Sequence, residues 1–222
     1  MRVSLIVSFL VMVSLLRCAS TSPGASDGAL PRALPAYQER CRDTVPAPEL
    51  YRARVTTSKG AFVIEVHRDW APLAADRFYQ LVCARFYSQA RFYRVVKGFV
   101  VQFGMNADPA VHQTWQEKNL KDEPVRTSNK RGMVSFTSSA APNSRTTHVF
   151  INLADNGFLD QGSAPFGLVF SGMDVVDSIH SEYGENAPMG NGPAQDRLWK
   201  EGNRYLLEEF PALDYITDIT ID

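Results

Sequence analysis

The sequence is poor in the residues that build metal sites and redox centres. It has three cysteines and four histidines in 222 residues, with no CxxC pair, no HExxH motif and no close group of Cys and His. Zinc sites and zinc-dependent hydrolases need such groups. The sequence therefore predicts neither a metal site nor a cofactor.

The sequence also lacks an excess of charge of either sign, and it shows no internal repeat. Its 23 lysines and arginines oppose 24 acidic residues, for a net charge of −1. Proteins that bind nucleic acid usually carry a basic excess, so we expect no nucleic-acid partner. With 45% hydrophobic residues, the chain can bury one good core, and we expect one domain and a monomer.

No hydrophobic run is long enough to span a bilayer comfortably. The longest mostly apolar stretch runs from Val3 to Leu16, behind the basic residue Arg2. This pattern is typical of a signal peptide. We therefore expect residues 1–20 to be a signal peptide and the protein to be exported to the periplasm, the cell envelope or the medium. An uncleaved anchor is the alternative.

The cysteines leave two questions open. Cys18 stands where a bacterial lipoprotein signal would end, but the residue before such a cysteine is usually small and here it is Arg17. Either Cys18 is lipidated and tethers the protein to a membrane, or the signal is simply cleaved near Ser20. In an exported protein Cys41 and Cys83 could form a disulfide. Otherwise one is a small buried hydrophobe and the other a free thiol.

Residues 21–49 read as a flexible linker. The stretch is rich in Pro, Ala, Gly and Ser and shows no apolar periodicity, a composition that does not support a packed core. We therefore assign the folded domain to residues 50–222.

Apolar patterns in this domain predict mainly β-structure. Residues 51–67 predict a hairpin around Ser58-Lys59-Gly60, and helical spacing predicts a helix over 71–87. The sequence predicts one or two strands at 90–105, single strands at 132–138, 148–153, 166–171 and 213–221, and a short helix at 173–181. Many strands and two helices favour an antiparallel barrel or sandwich with helices at its ends.

The segment ARFYRVVKGFVVQFGM, residues 90–105, places Arg94 and Gln102 among aromatic and β-branched residues. In an extended strand the even-numbered residues share one face. Gly98 would open space there, and a bulge could turn Phe99 to the same side. This predicts a surface with one cation, one amide and an apolar floor. The alternative is that Arg94 reaches solvent at a rim and Gln102 caps a backbone group.

This segment resembles the signature of the cyclophilin family of peptidyl-prolyl isomerases, Phe-His-Arg-x-x-x-Gly-Phe-x-x-Gln-Gly-Gly. Three further stretches also resemble the family. In chain order they are GAFVIEVHRDWAPLAADRFYQLV, DEPVRTSNKRGMVSF and HVFINLADNGFLDQGSAPFGLVFSGMDVVDSI. The second of them is similar to bacterial members. The match covers residues 52–181. The resemblance implies a closed eight-stranded antiparallel barrel capped by two α-helices. The longer C-terminal part reads as an extension of the domain with four buried residues, Leu206, Leu207, Phe210 and Leu213.

The resemblance also implies the site. Arg94 matches the catalytic arginine, and Gln102 matches the glutamine that binds substrate backbone. The implied substrate-binding residues are Phe99, Val100, His148, Phe150, Phe158 and Leu159. Rotation about an X–Pro bond breaks amide resonance, at a barrier of roughly 20 kcal/mol. A donor aimed at the prolyl nitrogen stabilises the twisted state, in which that nitrogen gains a lone pair.

Several positions depart from the family pattern. His148 replaces a glutamine, and it is either a donor to a substrate carbonyl or an ordinary strand histidine. Val100 replaces the pocket methionine, and Ser163 aligns with the pocket histidine. Phe158 replaces a tryptophan whose indole N–H donates to cyclosporin in sensitive members. Arg145, unusual in the substrate loop, reads as a solvated charge.

We therefore expect an exported peptidyl-prolyl cis-trans isomerase that assists folding, with proline-containing polypeptides as its partners. The alternatives are a binding module with little turnover and an envelope chaperone or structural domain on the same fold. The intact set of Arg94, Phe99, Gln102 and Phe150 favours the enzyme.

Overall fold

The structure is a computed structural model and describes residues 46–222. The predicted signal peptide, the open fate of Cys18 and nearly all of the predicted linker lie outside the described residues. Within residues 46–222, no helix combines the length and apolar character needed to cross a membrane. The same residues place no three His, Cys, Asp or Glu side chains where they could hold a metal ion together.

Eight antiparallel strands form one curled sheet, and they lie where the sequence predicts strands. They are β1 (Leu50–Thr57), β2 (Gly60–His67), β3 (Arg94–Val96), β4 (Val100–Phe103), β5 (Met133–Phe136), β6 (Val149–Asn152), β7 (Pro165–Ser171) and β8 (Ile216–Ile221). Their order in the sheet is β3-β4-β6-β5-β7-β2-β1-β8. Exposed and buried residues alternate along β1, because successive side chains of a strand point to opposite faces.

The prediction of a closed barrel is wrong, because the sheet is an open, curled half-barrel. Among the described strands, the two edge strands β3 and β8 form no ladder with each other. The chain ahead of β3 instead meets the start of β8, where the N–H of Ile216 donates to the carbonyl of Ala90 over 2.9 Å. An isolated bridge joins Arg91 to Tyr215, and the N–H of Phe92 donates to the carbonyl of Asp214 over 3.0 Å. In this register β3 would face residues that precede β8, so the two strands do not overlap.

Five α-helices accompany the sheet in the described residues, rather than the two expected. They are α1 (Pro72–Cys83), α2 (Pro109–Gln116), α3 (Met173–Asp177), α4 (Gln195–Glu201) and α5 (Asn203–Glu209), and a 3-10 helix spans Gly157–Gln161. α1 and α3 are the helices that the sequence predicts. α1 begins at Pro72, whose missing N–H suits a first helical turn, and buries Phe78 and Leu81.

The buried apolar residues form two clusters. The larger one combines α1 with residues from all eight strands. The smaller one, called the second cluster below, consists of Tyr93, Met105, Leu198, Tyr205, Leu206, Phe210 and Leu213. Three of the four residues predicted to be buried in the C-terminal extension are in it, but Leu207 is 55% exposed. The extension therefore packs a core of its own against Tyr93.

Cys83, the last residue of α1, is disulfide-bonded. Cys83 is the only cysteine among residues 46–222, so its partner lies outside the described residues. The structure therefore supports a disulfide at Cys83 rather than a small buried hydrophobe or a free thiol.

Arg145 is buried, so the prediction of a solvated charge is wrong. Its guanidinium donates to the Glu123 carboxylate over 3.1 Å and to the carbonyl of Lys121. Glu123 also accepts the N–H groups of Leu73 and Ala74, over 2.6 and 3.1 Å. These N–H groups belong to the first turn of α1, where a helix has unpaired donors. Arg145 thus ties the loop before β6 to the start of α1.

Candidate active site

Arg94 and Gln102 lie opposite each other on neighbouring strands, not along a single strand. The chain turns between them: the N–H of Phe99 donates to the carbonyl of Val96 over 3.0 Å, and Gly98 takes a φ of +70°, which glycine adopts without strain. Arg94 pairs directly with Gln102 in the ladder. Paired residues of antiparallel strands point to the same side. The predicted shared face is therefore correct, but the extended or bulged strand is wrong.

Seven of the eight predicted site residues line one cavity of about 300 Å³, called the proline cavity below. They are Arg94, Phe99, Val100, Gln102, Phe150, Phe158 and Leu159. Val100 and Phe150 are buried, whereas Phe158 is 64% exposed and stacks on Phe99 with ring centroids 5.9 Å apart. Ser163, the residue aligned with the family's pocket histidine, lines the cavity too. The result is an apolar cup with a cation and an amide on one side.

A buried polar network holds the cup in place. The Asn156 side chain donates to the carbonyl of Phe99 and to Oδ1 of Asn152, over 2.9 Å each. In the 3-10 helix, Asp160 accepts the backbone N–H and the side-chain amide of Asn129, over 2.8 Å each. Asn129 is fully buried, so these bonds are shielded from water and expensive to leave unmade. They fix the element that carries Phe158 and Leu159 against the β3–β4 turn.

The guanidinium of Arg94 is held on two sides. Nε and Nη2 donate to the two carboxylate oxygens of Glu185, over 2.5 and 2.7 Å. Nη1 donates to Oε1 of Gln102 over 3.0 Å. A guanidinium has five N–H donors, and these contacts engage three of them. One N–H on each Nη is left to face a ligand. The Arg94 side chain is 19% exposed, so the donors sit in a largely desolvated site.

Glu185 is ionised over the whole neutral range. The hydrogen bonds from Arg94, aided by the backbone N–H of Asn186, hold the pKa of Glu185 below its ordinary value of 4.5. Glu185 belongs to the connection between α3 and α4, a segment for which the sequence predicts no role. The positive charge of Arg94 is therefore paired with the negative charge of Glu185 within the site.

A hydrogen-bond relay runs from Gln102 to His148. Nε2 of Gln102 is 2.7 Å from the Tyr93 hydroxyl, which is 2.7 Å from Nδ1 of His148. An amide nitrogen can only donate, so the Tyr93 oxygen accepts from Gln102. The Tyr93 hydrogen finds an acceptor at Nδ1 in the His148 tautomer that carries its proton at Nε2, and we assign that tautomer. Burial, with a smaller effect of His112, lowers the pKa of His148 to about 3, so the ring is neutral at neutral pH.

His148 is the one predicted site residue that does not line the proline cavity. It lines a neighbouring groove of about 710 Å³, together with His112, Asn186 and Trp199. Arg94 and Gln102 line both the groove and the proline cavity. An extended ligand that crosses this boundary would pass His148. The role of His148 as a substrate contact stays a prediction.

Sequence reasoning misses two residues of the site, Tyr93 and Glu185. Tyr93 had a signal, because it stands at the histidine position of the signature Phe-His-Arg. It is buried in the second cluster, and it places the hydroxyl that links Gln102 to His148. Glu185 had none, because it lies 91 residues from Arg94 along the chain.

Comparison with known proteins places this fold and site in one family. Residues 52–197, more than half of the chain, match the family model described as cyclophilin type peptidyl-prolyl cis-trans isomerase. The chain therefore belongs to the cyclophilin-type peptidyl-prolyl cis-trans isomerases. The match extends beyond residue 181 and takes in the segment that carries Glu185.

Two bacterial relatives and one solved structure agree with this assignment. Peptidyl-prolyl cis-trans isomerase A of Dickeya dadantii is 36% identical over 149 residues, 64% of this chain and 77% of the relative. Peptidyl-prolyl cis-trans isomerase B of Escherichia coli is 34% identical over 132 residues, 55% of this chain and 80% of the relative. A crystal structure of a cyclophilin type peptidyl-prolyl cis-trans isomerase of Cryptosporidium parvum has a similar fold, with a TM-score of 0.58 at 20% identity, and the alignment covers 78% of this chain and 98% of that one. The family and the activity predicted from the sequence are confirmed.

Proposed function

We propose that this isomerase binds proline-containing segments in the proline cavity and that Arg94 catalyses rotation about the X–Pro bond. The observation that carries the proposal is the position of the Arg94 guanidinium. It lies at the edge of an apolar cup and beside Gln102, with two N–H groups left for a ligand. A solved structure of the Cryptosporidium parvum protein was obtained in the presence of the dipeptide Ala-Pro, which supports proline-containing peptides as partners.

The residues of the cavity divide the chemistry between them. The cup of Phe99, Val100, Phe150 and Leu159 holds the pyrrolidine ring still. As amide resonance is lost, the prolyl nitrogen gains a lone pair, and an N–H of Arg94 donates to it more strongly than to the planar amide. The flanking carbonyl can receive the Nε2–H of His148. No covalent bond is broken, so the reaction needs no nucleophile.

Exchange spectroscopy on a short Ala-Pro peptide tests this assignment. The protein should accelerate cis–trans exchange, and Arg94→Ala should slow the catalysed rate by about 10²–10³-fold, the range for one preorganised donor. Arg204→Ala is the control, because this arginine is 68% exposed and, among residues 46–222, its one ion pair is with Glu201. Circular dichroism checks that each variant is folded. Peptide binding without accelerated exchange would instead favour the low-turnover binding module.

We further propose that the protein is exported and acts there on folding chains. The short apolar run behind Arg2 supports this, and so does the disulfide at Cys83, because disulfides persist in oxidising compartments. Intact-mass analysis of protein from the native host should show residues 1–20 removed. A diacylglyceryl mass on Cys18 would mean a lipoprotein with a membrane tether. A full-length mass would contradict cleavage. The monomeric state stays a prediction.

A further inference from the structure

The carboxylate of Glu185 grips the guanidinium of Arg94 through both of its oxygens. Two parallel N–H···O bonds of 2.5 and 2.7 Å form a fork that fixes the plane of the guanidinium, which a single bond would leave free to turn. The third bond, from Nη1 to Gln102, restrains the guanidinium from a second side. From this geometry we propose that Glu185 is a positioning residue for catalysis, which holds the free N–H groups of Arg94 where the prolyl nitrogen needs them. The inference rests on the proposed role of Arg94.

The backbone around Glu185 is built to present this side chain. The Glu185 carbonyl accepts the N–H of Gly192 over 2.7 Å, and Oε1 of Glu185 accepts the N–H of Asn186 over 2.9 Å. A Cβ added at Gly190 would lie 2.4 Å from the Glu185 carbonyl oxygen, and one added at Gly192 would lie 2.8 Å from it. Both distances are below any real contact. The segment can therefore fold this closely onto Glu185 only because these two positions are glycine.

The segment is also anchored on a packed core. Tyr183, two residues before Glu185, packs against the second cluster, with its ring centroid 5.0 Å from that of Phe210. The same cluster contains Tyr93, the neighbour of Arg94 in the chain. Both partners of the ion pair are therefore attached to one rigid cluster, which suits a contact that must keep its geometry.

For catalysis, the orientation that Glu185 gives to the Arg94 guanidinium matters more than the positive charge that the carboxylate neutralises. The nitrogen of a twisted amide gains a lone pair rather than a full charge, so a well-aimed N–H matters more there than a net cation. An arginine side chain has many rotamers to lose, and a catalytic donor acts best when its orientation is fixed before the reaction. Removal of the carboxylate should therefore lower turnover rather than raise it.

The test compares Glu185→Gln with Glu182→Gln. Both changes remove one negative charge from the same segment, but Glu182 is exposed and three residues away. For Glu185→Gln we expect kcat to fall about 10-fold, within the effect of a 1 Å misplacement, and KM to change less than about 2-fold, since substrate binding uses the cup. Hydrogen exchange at Nε of Arg94, followed by NMR, should become faster. Glu182→Gln should match the unmodified protein in all three measurements.

A second variant leaves the charge in place. Gly190→Ala should push the Glu185 backbone aside and lower kcat in the same direction, with the fold checked by circular dichroism. An unchanged or raised kcat in Glu185→Gln would overturn the inference, and so would an equal loss in Glu182→Gln. An unmodified protein that fails to accelerate exchange would instead sink the proposed function, so the two failures are distinguishable.

Discussion

Arg94 and Gln102 are joined across the β3–β4 ladder by a hydrogen bond of 3.0 Å from Nη1 to Oε1. The bond fixes which end of the Gln102 amide faces Arg94. It therefore also fixes that the amide N–H₂ points to Tyr93. Through this one contact, the cation of the site and the neutral His148 belong to a single connected network, in which each member sets the orientation of the next.

The first prediction concerns Gln102. Gln102→Leu keeps the volume but removes both the acceptor for Arg94 and the donor to Tyr93. We expect kcat/KM to fall about 10-fold, equivalent to about 1.4 kcal/mol, a typical value for buried hydrogen bonds. Gln80→Leu is the control, because Gln80 is exposed on α1. Equal kcat/KM values for the two variants would remove Gln102 from the catalytic site.

The second prediction concerns the buried ion pair of Arg145 and Glu123. Their side chains are 1% and 5% exposed, so Arg145→Met leaves a buried carboxylate without its counter-ion. We expect the free energy of unfolding to fall by about 3–5 kcal/mol in urea titrations. Arg204→Met breaks an exposed pair of the same N–O distance, 3.1 Å, and should cost less than about 1 kcal/mol. Similar losses in the two variants would contradict the structural role of Arg145.

The third prediction concerns pH and His112, which is 1% exposed. Burial lowers the pKa of His112 to about 4, whereas an unfolded chain has a histidine pKa near 6.5. Between these values the unfolded chain binds a proton that the native protein does not. The contribution of His112 to the free energy of unfolding is therefore at its full value above pH 6.5. It is lost as pH falls toward 4, at about 1.4 kcal/mol per pH unit.

Urea titrations at pH 7 and pH 5 measure this effect. Over that interval the unmodified protein should lose about 2 kcal/mol more stability than His112→Asn, since about 1.5 units of the interval lie below pH 6.5. His148 is present in both proteins, and its pKa is lowered mainly by burial and less by His112, so the difference reports chiefly on His112. Equal losses would show that His112 takes up its proton in the native protein as readily as in the unfolded one.

The fourth prediction concerns cyclosporin and Phe158. In cyclosporin-sensitive members of the family, a tryptophan at this position donates its indole N–H to the drug. Phe158 has no hydrogen-bond donor. An unpaired acceptor costs about 1–3 kcal/mol, so we expect binding roughly 5- to 150-fold weaker on this count. Phe158→Trp should restore affinity and change peptide turnover little. Phe170→Trp, at an exposed phenylalanine outside the cavity, is the control. Nanomolar inhibition of the unmodified protein would contradict the argument.

β1 was predictable because exposed and buried residues alternate along it. β4 and β6 are buried throughout, and their runs of β-branched and aromatic residues made them predictable. The short helices α4 and α5 were not, since seven residues each are too few to establish a helical period. α2 did leave a signal that was missed: Asp108 caps the helix by accepting the N–H of Ala110, and Pro109 follows it. The open edge of the sheet depends on how β3 and β8 approach in space, which no local pattern contains.

The site was predicted in part for the wrong geometrical reason. Arg94 and Gln102 are 8 positions apart in the sequence, an even number, so an extended strand places them on one face. A hairpin that pairs them gives the same result, and the pattern cannot distinguish the two. Glu185 could not be found this way, because its contact with Arg94 depends on the packing of the C-terminal extension rather than on any spacing.

The chain between α3 and β8 is a closed connection rather than a free tail. It leaves the fold after α3 and returns to it in β8, which pairs with β1 as an edge of the sheet. Both ends of residues 178–215 are therefore held by the common framework, and lengthening a connection between fixed ends costs little. The counter-ion of Arg94 is thus carried on this connection. Replacing residues 178–215 would alter how the arginine is held while leaving every strand of the sheet in place.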